Sequence, residues 1–202
     1  MKTRAEIKIE AKQILSNNYG TVLGNMLLYF VLGSLAGVTA IGAILVGPPL
    51  MVGLFEGIRL LWHGGTTINI FSGFHEDKFG RSIGGIIFMA VLIWLWTLLF
   101  IIPGIIMGIA YCLTPFIIAD SKGLTAGQAI GLSKKITLGY KGDIFVFYLS
   151  FIGWLLLSGL TFGLLTIFYV GPYMLTAYAG LYEELKKNAL EKGTVTEADF
   201  IA

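Results

Sequence analysis

Charge and apolar surface separate into blocks along this chain. Residues 13–55 carry no charged side chain, and neither do residues 82–119 or 144–182; the blocks are 43, 38 and 39 residues long. A helix crosses a hydrocarbon core of about 30 Å with about 20 residues, at about 1.5 Å each. Each block is too long for one crossing and long enough for two joined by a tight turn. The pattern therefore predicts an all-α, polytopic transmembrane bundle of about six spans arranged as three hairpins, at 19–62, 83–119 and 144–182. The individual spans fall at 19–37, 41–62, 83–102, 105–119, 144–162 and 164–182. The fourth is the shortest, and its 15 residues reach only about 22 Å. It fits a half-span or a re-entrant piece shielded from lipid.

Turn residues sit where hairpins need them. Gly37-Val38-Thr39, Pro103-Gly104 and Thr161-Phe162-Gly163 mark the three turns. Gly47-Pro48-Pro49 and Gly171-Pro172 predict kinks or breaks in the returning helices. The similar strings at Val46 (VGPPLM) and Val170 (VGPYML) suggest a weak internal repeat between the first and third hairpins.

All 14 lysines and arginines lie between and around the blocks. Two spans per block return every charged segment to one side. The positive-inside rule makes that side the cytoplasm, with both termini and the loops 63–82 and 120–143 on it. The expected setting is the inner membrane of a bacterial cell. No cleavable signal peptide is predicted, because Glu6, Lys8, Glu10 and Lys12 stand where an apolar region would begin. Outside the bilayer, residues 1–18 predict an amphipathic helix with Ile7, Ala11, Ile14 and Leu15 on one face. It either lies on the membrane surface or packs against the cytoplasmic loops. Residues 124–140 predict a second such helix, with Ala129, Ile130, Leu132 and Ile136 on its apolar side. Its Lys134 and Lys135 are candidates for contact with anionic lipid headgroups. Residues 188–202 read as a polar tail.

Composition agrees with lipid as the main solvent. Apolar residues make up 56% and charged residues 13%, against about 25% charged in soluble domains. A net charge of +2 is too small to point to nucleic acid. Cys112 is the only cysteine, which excludes an intrachain disulfide.

Candidate chemistry is sparse. Glu56 and Arg59 are the charges nearest a span interior, and their spacing of three allows an ion pair on one helix face. They either fix helix depth or line a cavity that binds a cation or proton. Trp62 fits an interfacial belt. Trp94, Trp96 and Trp154 fall well inside their spans and are expected in core packing, or lining a cavity. His63, His75, Glu76 and Asp77 match no metal-site spacing, so no metal and no cofactor is predicted. Ser121-Lys122 and Ser133-Lys134 are sequence neighbours and form no catalytic dyad. Glycine pairs four apart, at 20/24, 33/37, 53/57, 104/108 and 159/163, suit close helix approach.

Five strings together resemble the bacterial membrane family known as domain of unknown function 975: IFSGFHEDKFGR from Ile70, WTLLFIIPGIIMGIAY from Trp96, IIAD from Ile117, LSFIGW from Leu149 and GPY from Gly171. The resemblance picks out Phe71, Gly73, Phe74, Pro103, Gly104, Asp120, Ser133, Gly153, Trp154, Pro172 and Tyr173 as motif positions. Met107 stands where a lysine often follows IIPGII, and Ser121-Lys122 stand where Asn-Pro is usual. A looser similarity is to the membrane domain of some glycerophosphodiester phosphodiesterases, whose catalytic barrel has no counterpart in this sequence. The resemblance implies an integral membrane protein of unassigned activity. The expected role is a non-enzymatic envelope or accessory protein that acts through helix packing, with the bilayer, a membrane-protein partner or a second copy as its contacts. The alternative is a small transporter, channel or lipid-handling protein with a site near Glu56.

Overall fold

The computed structural model describes residues 2–201, and no strand occurs among them. Nine α-helices follow in order: α1 (Arg4–Gly37), α2 (Ala40–Trp62), α3 (Glu76–Leu99), α4 (Ile101–Tyr111), α5 (Thr114–Asp120), α6 (Ala126–Thr137), α7 (Lys141–Leu149), α8 (Ile152–Leu160) and α9 (Gly171–Glu191). Short 3-10 turns at Ile70–Phe74 and Glu197–Phe200 and a π-turn at Thr166–Val170 complete the fold. Five helical segments are long and apolar enough to cross a membrane: α1, α2, α3, α4 with α5, and α7 with α8. The expected sixth, 164–182, is not among them. Its helix is interrupted by the π-turn, and α9 carries charge from Glu183 onward.

The amphipathic N-terminal helix and the first span are one helix. A capping box starts it: the Thr3 hydroxyl accepts from Glu6 N, and Glu6 accepts from Thr3 N. Asn18 kinks it (φ −125°, ψ 21°), where the side-chain Nδ2 donates to Ile14 O and competes with the helical backbone. Ile7, Ala11 and Leu15 are buried. The segment packs on α9, so of the two sequence readings packing applies, and its partner is a helix rather than a loop.

Two helix breaks follow prolines. Pro115 has no N–H and crowds the Tyr111 carbonyl four residues back, which separates α4 from α5. The last carbonyls of α4 are met by α6: Ser133 Oγ donates to Ala110 O at 2.8 Å and Thr137 Oγ1 at 3.3 Å. Pro172 has the same effect on the Phe168 carbonyl. A π-turn takes up the slack, and Tyr19 OH donates to Phe168 O at 2.6 Å. At Gly47-Pro48-Pro49 no break occurs, and α2 runs through. The second hairpin turns at Phe100 (φ −161°, ψ 147°), and Pro103 sits in the first turn of α4 rather than in the hairpin turn. Starting at Ile101, the fourth segment gains length and reaches 20 residues. The other two turns fall at 38–39 and 161–163, with Gly163 at φ +83°.

The core sits at the charged feet of the hairpins. Buried side chains in α1 stop at Met26 and in α2 begin at Pro48; in α3 only Ser82 and Gly85 are buried. The distal halves and their turns present apolar surface, with Phe162 99% exposed. The tail does not project as a polar extension. Val195 and Phe200 are buried, Lys122 N donates to Phe200 O at 3.0 Å, and Lys186 lies 4.2 Å from the Phe200 ring centroid. Within it, the Thr196 backbone N–H and then its hydroxyl hold the Asp199 carboxyl below its ordinary range.

Most glycine pairs do no packing work: a Cβ at Gly20, Gly24, Gly33, Gly37, Gly108 or Gly159 would meet nothing within 4 Å. Gly53, Gly57 and Gly73 differ. A Cβ at Gly53 would lie 2.1 Å from Ile70 O, and one at Gly73 would lie 2.0 Å from Pro49 O. Here glycine lets the loop after α2 dock backbone to backbone. Gly73→Ala is expected to destabilise the protein by about 1–3 kcal/mol through overpacking, while Gly20→Ala is neutral or slightly stabilising. Thermal melts of the two variants in one detergent check this, and equal melting temperatures would contradict the docking.

Candidate functional site

The loop docked by glycine delivers the first part of a polar cleft. It brings Ser72 Oγ to Glu56 at 2.6 Å, and the start of α3 brings Lys78 Nζ to the same carboxylate at 2.7 Å. Glu56 and Arg59 thus do not pair with each other, contrary to the expectation from their spacing. A spacing of three permits contact, but each side chain finds a closer partner on another element. Arg59 Nη1 lies 3.0 Å from Asp120 at the end of α5 and 3.6 Å from Glu183 on α9.

Asp120 is the hub. Tyr182 OH donates to its Oδ2 at 2.7 Å, and Lys186 Nζ does so at 2.6 Å. Tyr182 and Lys186 lie four apart and so share one face of α9. Glu183, beside them, also meets His63 Nε2 at 3.0 Å. Arg81 of α3 donates to Ser121 O at 3.1 Å, which fixes the chain just past Asp120. Arg59 Nε and Arg81 Nη2 are buried and have no hydrogen-bond partner among the described residues.

These groups border an open cleft of about 550 Å³, lined by Glu56, Arg59, Lys78, Asp120 and Lys122 and by His75 and Asp77 at its edge. Leaving His75 aside, the lining charges are three cations and three anions. Small-ligand sites run about 300–1,000 Å³, so the cleft has room for a small molecule. Chemically it offers donors and acceptors of both signs side by side. The described residues contain no group of three His, Cys, Asp or Glu side chains able to hold a metal ion.

Other sequence-selected residues lie elsewhere. Trp94 and Trp96 are 63% and 37% exposed and do not pack in the core as expected. Past Arg81 their helix has no charged residue to mark an outer face, so sequence position could not say which face turns inward. Trp154 is half-buried and meets Tyr169 at a tilt of 49°, with ring centroids 5.5 Å apart. Trp62 packs on Gly180, and its Nε1 donates to Thr176 O at 2.9 Å, so it is a helix-packing group. Lys134 and Lys135 are exposed on α6. Of the motif residues, Phe71, Gly73 and Phe74 build the docked loop, with Phe71 and Phe74 in ring contact. Gly104 lies tight against Thr97, Ser133 caps α4, Gly153 has open space beside it, and Tyr173 is buried with Pro172. Ser72, Lys78, Tyr182, Glu183 and Lys186 were not singled out from sequence. For all but Ser72 the signal was position: Lys78, Tyr182, Glu183 and Lys186 lie at or within four residues of the end of a neutral block, and Tyr182 and Lys186 share a helical spacing.

The family described as Protein of unknown function (DUF975) matches residues 54–189, about two thirds of the chain. The chain belongs to this family. The DUF975 region holds the whole network from Glu56 to Lys186 and leaves out all of α1, the first part of α2 and the folded-back tail. No curated protein and no solved structure matches the chain, so the looser likeness to the glycerophosphodiester phosphodiesterase membrane domain gains no support.

Arg59, Asp120 and Lys186 are only 10–15% exposed. Removing one member of such a group leaves charge unpaired and costs about 3–5 kcal/mol. Asp120→Ala is therefore expected to unfold the foot of the bundle or lower its melting temperature sharply, with Lys186→Met far milder because Arg59 and Tyr182 still satisfy the carboxylate. Melts in detergent decide this, and an Asp120→Ala protein as stable as the wild type would contradict it.

Proposed function

We propose that this protein is a multi-pass bacterial inner-membrane protein that binds a small zwitterionic ligand, without catalysis, in the cleft at its cytoplasmic end. One observation carries the reading: an open cleft lined by paired charges of both signs, at the border between the neutral blocks and the charged loops. A ligand with one anionic and one cationic group can exchange partners with Arg59 or Lys78 and with Glu56 or Asp120 and leave no charge unpaired. A ligand of one sign cannot, which is a source of selectivity. Binding rather than chemistry is the better reading because Asp120 is already held by three donors and Glu56 by two. The basic residues at the hairpin feet support a cytoplasmic placement of that side, and the return of 164–182 to the feet, where Tyr182 meets Asp120, supports placing both chain ends there although that segment is broken by the π-turn. Cysteines placed at Lys134 and Lys141 should resist impermeant label on intact cells and react after permeabilisation.

A second reading rests on the exposed apolar arms. Only 11% of the apolar windows of α1 and α3 is buried, against 44% for α2 and 50% for α4 with α5. Such arms suit packing against another membrane protein, although lipid covers the same surface.

Phosphoethanolamine is a suitable probe for the first reading. It should raise the melting temperature of the purified protein saturably, while phosphate alone and ethanolamine alone do not. Lys122→Ala removes a lining cation whose side chain forms no ion pair among the described residues, and it should weaken the shift without changing the basal melt. No shift, or an equal one from phosphate alone, would overturn the proposal.

A further inference from the structure

A second site stands on α1, on the far side of the N-terminal segment from its acidic residues; its α1 half lies outside the family-matched region and its aromatic half inside it. Arg4, Lys8 and Lys12 recur at four-residue intervals, so they form one stripe over about two turns of helix. Among the described residues none of the three pairs with a carboxylate. The acidic residues of the same segment are engaged elsewhere: Glu6 in the capping box with Thr3, and Glu10 with Lys2 Nζ at 2.6 Å. Lys8 and Lys12 instead lean on an aromatic row. Lys8 Nζ lies 3.9 Å from the Phe151 ring centroid and 3.2 Å from Ser150 O, and Lys12 Nζ lies 5.3 Å from the Tyr173 centroid. The row continues from Phe151 through Tyr173 and Tyr169 to Trp154 at centroid distances of 5.3, 6.1 and 5.5 Å. A row of cations over aromatic rings, just before the neutral block begins, is the composition of a membrane interface.

Beside this stripe lies a groove of about 650 Å³, lined by Lys12, Gln13, Leu15, Ser16, Tyr19 and Tyr169. It is graded along its length. Lys12, Gln13 and Ser16 give it a cationic, hydrogen-bonding head. Tyr19 is about 10 Å farther along the helix by rise, and beyond it the α1 span begins. The groove wall is fixed by the Pro172-induced π-turn, whose freed Phe168 carbonyl is taken by Tyr19 OH at 2.6 Å. A ligand filling it needs an anionic head at Lys12 and an apolar body directed toward the bilayer.

We infer that this groove binds one anionic glycerophospholipid, with its phosphate at Lys12 and Lys8 and an acyl chain running past Tyr19 and Tyr169. The shared chemistry is a phosphate ester. A lipid and a soluble phosphate differ in the chain, and the apolar floor is the reason to commit to the lipid. The site is separate from the charged cleft and does not rest on how that cleft functions. It also differs from the surface at Lys134 and Lys135 on α6, where the cavity beside Lys135, about 340 Å³, is lined by Asp199 as well, and that carboxylate meets Lys135 Nζ at 3.9 Å.

Native mass spectrometry of the full-length protein tests this. The wild type should retain phosphatidylglycerol in preference to phosphatidylcholine. Lys8→Gln with Lys12→Gln should weaken that binding about tenfold or more, since each interfacial cation adds appreciably to lipid attraction. Lys134→Gln with Lys135→Gln should leave it unchanged, and Lys12→Arg, which keeps the charge, should retain it. Excess glycerophosphate should fail to compete. Equal retention of the two lipids, an equal loss from the α6 pair, or full competition by glycerophosphate would each overturn the assignment. If the double glutamine variant does not fold by circular dichroism, the wild-type lipid preference and the glycerophosphate competition still decide the matter.

Discussion

Asp120 is the carboxylate on which all three hairpins converge. Arg59 reaches it from the first hairpin, its own position closes the second, and Tyr182 and Lys186 come from the third. Lipid is no better than a neighbouring helix at solvating apolar side chains, so the hydrophobic effect alone does little to gather spans inside a bilayer. Directional, charge-assisted bonds at the border supply what apolar contact does not. The placement of the core agrees. Burial is dense around Phe116, Tyr182 and Leu185 near this network and thins toward the hairpin turns.

The same constraint explains why charge gathers at one end. Ionised groups are stable only where water reaches, so the charged side chains are crowded at the feet. There, helix ends, the docked loop and the folded-back tail leave clefts between them. Glycine at 53 and 73 sets the loop height and proline at 115 and 172 sets the helix breaks. These backbone devices position Ser72, Asp120 and Tyr19. The side chains at the site are thus placed by residues with no polar chemistry of their own.

Much of this was legible in the sequence, and the limits have physical causes. The neutral blocks, the turns at 38–39 and 161–163 and the buried face of α6 follow from composition and periodicity, which local sequence records. The pairing of Glu56 with Lys78 rather than Arg59 depends on a loop whose docking only tertiary geometry reveals. The outward faces of Trp94 and Trp96 could not be read, because their end of α3 has no charged side chain to mark which face turns outward. The tail looked polar because its two buried residues, Val195 and Phe200, are too few to make a pattern.

The account depends on lipid, not protein, covering the distal halves of the hairpins. Tryptophan quenching by lipids brominated along the acyl chain measures this directly. In reconstituted vesicles Trp94 and Trp96 should be strongly quenched, and replacing both by phenylalanine should remove most of the quenchable emission, leaving Trp62 packed on Gly180 and the half-buried Trp154 beside Tyr169. Emission indifferent to bromolipid, or quenching that survives the double replacement unchanged, would contradict it.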